Sequence, residues 1–371
     1  MANQLGIRRF DYVEFYSGSA KMATYWHARA LGLALKAYQG PETGCRDRVS
    51  YYLESKYLKV VVTGATCPEN HEVAGFVYRH GDGVRRYALE VEDVEKAYQY
   101  AVSHRGIPSQ KPRKIQDDYG YVTEAAIKIY DDCELVFINY DDYNGPFKPG
   151  YAKPIQNWEL HCEDTGIFAI DHIVGNVREN EMNFWAEYFE EALDFETFIY
   201  FGPGDISTQY SALLSKVVRS KDGIIKNPIN EPYKGKRKSQ IQEYIEEYRG
   251  TGIQHAALVT SDIVSSIRAM RRNGMEFLTV PDTYYEDLEK KLKKEGREIK
   301  EKIEDLHELG ILCDVEGQGY LLQLFTKPIF DRPSFFYEII QRCEGATGFG
   351  QGNFQALFES IERDQALRGN L

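Results

Sequence analysis

The sequence predicts an α+β fold of repeated βαβββ units in two domains, residues 1–150 and 151–371. Three observations carry this prediction. Strand-helix stretches recur in matching pairs, hairpin-like strand pairs follow each helix, and a Gly/Pro-rich junction lies midway.

The first pair is "FDYVEFYSGSAKMATYWHARALGL", from Phe10, and "IDHIVGNVRENEMNFWAEYFEEALDF", from Ile170. Each opens on an apolar residue and Asp, has Met eleven residues after that Asp (Asp11 to Met22, Asp171 to Met182), and then an aromatic-Trp pair (Tyr25-Trp26, Phe184-Trp185). Both read as a strand and an amphipathic helix. The second pair runs from Gly83 and from Gly252, each a strand, an Asp at the helix start (Asp93, Asp262), a helix with apolar residues at i, i+3 and i+4, then Gly and a strand. Strand pairs such as "GYVTEAAIKIYDDCELVFINY" and "GYLLQLFTKPIFDRPSFFYEIIQR" follow. Helices are too few and hairpins too many for a doubly wound parallel sheet. The junction is "YNGPFKPGYAKPIQNW", Tyr143 to Trp158.

The charged run from Tyr284 to Gly310 reads as a solvated helix pair. Gly348, Gly350 and Gly352 precede a helix, but their spacing is wrong for a dinucleotide fingerprint and no acidic ribose ligand follows. After them Phe354, Leu357, Phe358 and Ile361 form an apolar helical stripe. That stripe reads as a covering helix that excludes water.

With 46 Tyr and Phe (27 + 19) among 371 residues, the chain can bury large aromatic interiors, which excludes disorder as its dominant state. No stretch approaches the ~20 apolar residues of a membrane span, and the N-terminus lacks a secretory pattern, so a cytoplasmic location is expected. Six scattered cysteines without a C-x-x-C pair read as reduced thiols. A net charge of −12 argues against nucleic acid or an anionic membrane as partner.

Strand alternation puts His172 on one face with Ile170 and Val174, His255 with Ile253 and Ala257, and Glu338 with Phe336 and Ile340. Taken singly, each histidine reads first as a satisfied core residue; a buried carboxylate needs a partner or a cation. Two facts favour a joint site. The N-terminal copies carry Tyr12 and Arg86 where His172 and His255 stand, so the unit folds without them. The three residues are also evenly spaced, 255 − 172 = 83 and 338 − 255 = 83. Two His and one carboxylate with open positions form the facial triad of non-haem Fe(II) oxygenases.

"IDHIVGNV", "NPINEPYKGKRKSQIQEYIEEYRGTGIQHAAL", "GYLLQLFTKPIFDRPSFFYEIIQR" and "GFGQGNFQALFESIERDQALRGNL" together resemble the 4-hydroxyphenylpyruvate dioxygenase family of the vicinal-oxygen-chelate superfamily. The resemblance spans nearly the whole C-terminal half and continues more weakly through "HGDGVRRYALEVED". It implies open half-barrels, Fe(II) held by His172, His255 and Glu338, and conversion of 4-hydroxyphenylpyruvate and O2 to homogentisate and CO2 in tyrosine and phenylalanine catabolism.

On the residues themselves, Gln323 shares a strand face with Phe325, and Gln254 neighbours a metal histidine. By similarity Gln240, Asn230 and Ser211 would hold or orient the phenol, Phe325, Phe336, Phe349 and Phe354 would wall it, and Pro228 and Asn353 belong to the same pocket. Singly, Gln240 and Ser211 also read as surface residues and the four Phe as ordinary core. The resemblance further implies a homodimer or homotetramer, formed through an N-terminal domain that lacks the ligands. Two alternatives stand beside it. One is 4-hydroxymandelate synthase, disfavoured by Pro228, Asn230 and Phe325; the other is a metal-free binding protein of the same fold.

Truncation before Asn353 is expected to abolish turnover while the N-terminal domain stays folded, as read by an activity assay and thermal melting. Undiminished turnover would end the covering-helix reading.

Overall fold

Asp93 and Asp262 do cap helices, accepting hydrogen bonds from the backbone N–H of Lys96 and Ser265 at 3.0 Å each. They mark the start of the outer helix in the second unit of each half. The computed structural model describes residues 3–156, 158, 162–202 and 212–369. The N-terminal half contains β1 (Ile7–Tyr16), α1 (Ala20–Leu31), β2 (Ala34–Gln39), β3 (Arg48–Ser55), β4 (Leu58–Ala65), α2 (His71–His80), β5 (Gly83–Val91), α3 (Val94–Ser103), β6 (Ile107–Asp117), β7 (Gly120–Ile129) and β8 (Cys133–Asn139). The C-terminal half continues with β9 (Ile167–Asn176), α4 (Met182–Leu193), β10 (Phe195–Phe201), β11 (Ala212–Ser220), β12 (Lys226–Tyr233), α5 (Gln240–Tyr248), β13 (Gly252–Thr260) and α6 (Ile263–Asn273). It ends with α7 (Asp282–Glu295), α8 (Ile303–Leu309), β14 (Leu312–Glu316), β15 (Gly319–Phe325), β16 (Phe336–Cys343) and α9 (Phe354–Leu367).

The repeats become two eight-stranded sheets of identical topology, ordered β2-β3-β4-β1-β5-β8-β7-β6 and β10-β11-β12-β9-β13-β16-β15-β14. In each, two βαβββ units meet through an antiparallel central pair, β1 with β5 and β9 with β13. The fourth strand of each unit returns parallel to its first, as β1 with β4 and β13 with β16. Each such return crosses over through a helix on the outer face of the sheet. The outer helices of the two halves pack together, α3 on α4 and α1 on α6, within one large apolar core. The charged run forms α7 and α8, which do more than float in solvent: Tyr285, Leu288, Leu292, Leu306 and Leu309 are buried.

What fills the inner faces differs. In the N-terminal sheet the Gly/Pro-rich segment folds back as a plug. Phe147 stacks on Tyr52, with ring centroids 4.0 Å apart, and meets Tyr12 edge-on at 5.7 Å. Lys148 lies over the Tyr12 ring and 3.3 Å from buried Glu124, which also pairs with Arg113 at 2.7 Å. In the C-terminal sheet the inner face holds a cavity roofed by α9.

Burial by itself would push the Glu124 carboxyl up, but Lys148 and Arg113 hold it down, at about 2. Its folded value is depressed, so its contribution is fully present above the unfolded value near 4.5 and is lost as pH falls toward 2. A shift of that size corresponds to about 3 kcal/mol at neutral pH. Glu124→Gln should therefore lower urea stability by about that much at pH 7, with the gap closing below pH ~4.5. A gap independent of pH would contradict the pairing.

Candidate active site

The site is assembled by one row across the C-terminal sheet. Ala257 on β13 lies opposite His172 on β9 and, on its other side, opposite Glu338 on β16. Neighbouring strands are ~4.8 Å apart, so His172 and Glu338 are rooted about 10 Å from each other and can converge only above a small residue. Ala257 is that residue. His255, two positions before it on β13, comes in from the side. The His172 Nε2 stands 3.1 Å, and the His255 Nε2 3.5 Å, from Glu338 Oε2.

Two β-bulges orient the imidazoles. Between Ala257 and Leu258 the partner on β9 moves from His172 to Ile170, leaving Asp171 as an extra residue; between Ile253 and His255, Gln254 is extra in the same way. A flat strand would turn Asp171 and Gln254 to the opposite face from their histidines. Instead Asp171 Oδ1 lies 2.8 Å from His172 Nδ1, and Gln254 Oε1 lies 3.0 Å from His255 Nδ1. A carboxylate and an amide oxygen only accept, so each Nδ1 donates, which leaves Nε2, on the Glu338 side, as the nitrogen through which each ring could bind a metal. Burial pushes the His172 imidazole down, but Glu338 and Asp171 more than reverse this. His255 is held below its ordinary value by burial, with Glu338 opposing. Burial would raise the Glu338 carboxyl, yet the two histidines bring it to about 2.

These residues fit a metal ion. Their ligand atoms lie within 4.8 Å of one another and all three residues are buried. Separations of 3.1 and 3.5 Å suit adjacent positions on an octahedral ion with bonds of about 2.1 Å. The two-His, one-carboxylate set leaves further positions open.

The triad opens into an aromatic-lined cavity. Its wall takes Val174 from β9, Pro228 and Asn230 from β12, Gln254 from β13, Gln323 and Phe325 from β15, and Phe336 from β16. Its roof takes Gln240 and Ile241 from α5, Phe349 from the loop after β16, and Phe354, Leu357, Phe358 and Ile361 from α9. The structure thus gathers twelve of the fourteen residues singled out by sequence, the triad with Gln254, Gln323, Asn230, Gln240, Pro228 and four Phe. Ser211 lies outside the described residues. Asn353 is not part of the cavity wall; its Oδ1 is taken by Tyr284 Oη at 2.7 Å, behind the start of α9.

Sequence reasoning missed Phe201 and the β11 residues Leu213, Ser215 and Val217, which also line the cavity. Their period-two spacing was the available signal. It also missed Asp171 and Arg342, which stand behind His172. The side-chain Nε2 atoms of Gln254 and Gln323 are buried without a protein partner. Buried donors left free in an apolar cavity suit a ligand rich in oxygen acceptors.

Two substitutions test this geometry. Ala257→Leu should lower metal affinity at least tenfold, measured by calorimetric titration, while the fold survives with about 1–3 kcal/mol of overpacking strain. Gly350 has φ +73°, and a Cβ there would lie 2.3 Å from Gln323 Nε2. Gly350→Ala should therefore raise KM by displacing Gln323, whereas an unchanged KM would remove Gln323 from the binding wall.

No family model matches the chain. Curated 4-hydroxyphenylpyruvate dioxygenases from Aspergillus fumigatus and Xenopus tropicalis are each 42% identical over 98% of this chain, covering 94% and 92% of their own lengths. The one from Dictyostelium discoideum is 40% identical over 98% of this chain and 99% of its own length. Among solved structures, a mutant 4-hydroxymandelate synthase from Streptomyces coelicolor has a TM-score of 0.84 at 30% identity, over 97% of this chain and 99% of that one. A Mn(II)-bound glyoxalase from Novosphingobium aromaticivorans, at 10% identity and a TM-score of 0.51 over 91% of this chain and 83% of that one, shares the fold alone. With this level of identity across nearly its whole length and a buried His-His-Glu cluster, the chain belongs to the 4-hydroxyphenylpyruvate dioxygenase family and is a metal-dependent enzyme of the vicinal-oxygen-chelate fold.

Proposed function

We propose that the chain is an Fe(II)-dependent 4-hydroxyphenylpyruvate dioxygenase, forming homogentisate and CO2 from 4-hydroxyphenylpyruvate and O2. The convergence of two Nε2 atoms and a carboxylate in a cavity walled by aromatic residues carries this reading. Iron suits a facial triad of this kind, and when bound it supplies chelation of the 2-oxo acid and activation of O2.

The protein's own part is placement. The free amides of Gln254, beside His255, and of Gln323 would donate to the oxygens of the 2-oxo acid. Asn230 lies level with Asn176, four residues along β9 from His172, a distance of about 13 Å. It would therefore meet the far, phenolic end together with Gln240 on α5, and Ser211 is proposed for the same end. Phe325, Phe336, Phe349 and Phe354, with Pro228, would hold the ring flat and keep water out. Asn353 would act indirectly, by fixing the start of α9.

Residues 1–150 are proposed as a structural domain through which the protein forms a homodimer or homotetramer, and residues 151–371 as the catalytic domain. A cytoplasmic location accords with six free cysteines and, among the described residues, no helix long and apolar enough to cross a membrane.

The structural likeness to a 4-hydroxymandelate synthase keeps one second reading in view, benzylic hydroxylation of the same substrate. Incubating the Fe(II)-loaded protein with 4-hydroxyphenylpyruvate and O2 decides between them. Homogentisate is expected; 4-hydroxymandelate would transfer the chain to the synthase reading.

A further inference from the structure

Arg342 stands between the metal-ligand histidine and the segment that roofs the cavity. Its Nε and Nη2 donate to the two oxygens of Asp171 at 2.8 Å each, and Asp171 Oδ1 is the atom that accepts from His172 Nδ1. On its other side Nη1 donates to the backbone carbonyls of Gly348 at 2.7 Å and Ala346 at 3.4 Å. Its guanidinium lies 5.7 Å from the centroid of the Phe349 ring, which in turn meets the His172 ring edge-on at 5.1 Å. The same loop is pinned from β14, where Glu316 accepts from the Gly348 N–H at 2.6 Å and Asp314 from the Gly352 N–H at 3.0 Å.

The N-terminal half supplies an internal comparison. By strand register Asp11 matches Asp171, Lys59 matches Lys226, and Tyr140 matches Arg342. Asp11 pairs with Lys59 and accepts from Tyr140 Oη at 2.7 Å, while Lys226 stands 3.7 Å from Asp171. The Asp-Lys pair therefore serves the fold in both halves. A phenol suffices as third partner where there are no metal ligands and no roof. In the ligand-bearing half that place is taken by arginine, whose planar fork can grip a carboxylate with one edge and carbonyls with another.

We propose that Arg342 is a positioning residue that couples closure of the roof, from Ala346 through α9, to the orientation of His172. The proposal rests on the reading of His172 as a metal ligand. Lifting the roof removes the two carbonyl acceptors and the Phe349 ring from Arg342, and loosens the fork that holds Asp171 against His172. Linkage makes the effect reciprocal, so metal bound at His172 favours the closed roof.

The test uses the full-length protein with Co(II) as probe, reading its dissociation constant and the rate at which a protease cuts after residue 344, with and without the metal. In the unmodified protein Co(II) should slow that cleavage several-fold. Arg342→Lys keeps the charge but not the fork; it should weaken Co(II) binding about tenfold and abolish the metal-dependent protection. In turnover it should lower kcat more than it raises the KM for substrate. A merely structural arginine would speed cleavage equally with and without metal. Protection that is absent in the unmodified protein, or that persists in Arg342→Lys with unchanged affinity, overturns the coupling. Unchanged Co(II) affinity in His172→Ala would instead overturn the metal-site reading beneath it.

Discussion

The site depends on two extra residues in two strands. Asp171 and Gln254 each sit in a β-bulge immediately before a histidine of the buried His-His-Glu cluster, and each receives that histidine's Nδ1 hydrogen. Without the bulges these partners would face the outer helices, and each imidazole would be free to choose its tautomer and rotate. With them, both Nε2 atoms converge on Glu338 above Ala257. Burying two histidines and a carboxylate together costs solvation, which is offset only where hydrogen bonds or a cation satisfy them.

The same backbone carries no such site in the N-terminal half. Its central strands β1 and β5 show equivalent register shifts, so the bulges belong to the fold. What differs is the side chains. By register Tyr12, Arg86 and Val136 stand where His172, His255 and Glu338 stand, and the inner face is filled by Phe147 and Lys148. Arg86 is held among Glu14, Glu72 and Glu134. One half uses the concave face as packed interior, and the other leaves it hollow under a helix.

Much of this was legible in the sequence because repeats expose what a fold does not need. Comparing Asp11-Tyr12 with Asp171-His172 separated the structural aspartate from the added histidine, and the apolar stripe of α9 announced a surface to cover. The bulges were not legible, because strict alternation predicts opposite faces for Gln254 and His255, and only cross-strand register shows both lining one cavity. The plug was hidden as well: Gly and Pro around Phe147 signal a junction but not where its aromatic residues will pack. Asn353 was misplaced by one step, since the helix start turns Phe354 inward while Tyr284 takes the asparagine. Arg342 left no signal, as its partners Asp171 and Gly348 are distant or backbone.

The central claim, that His172, His255 and Glu338 together hold iron through Nε2, Nε2 and a carboxylate oxygen, is tested most directly by a crystal structure of the Fe(II)-loaded protein with anomalous data at the iron edge. The account predicts one iron peak above Ala257, bonded to those three atoms, with Asp171 and Gln254 still on the Nδ1 side. An iron bound elsewhere, or held through Nδ1 of either histidine, would contradict it.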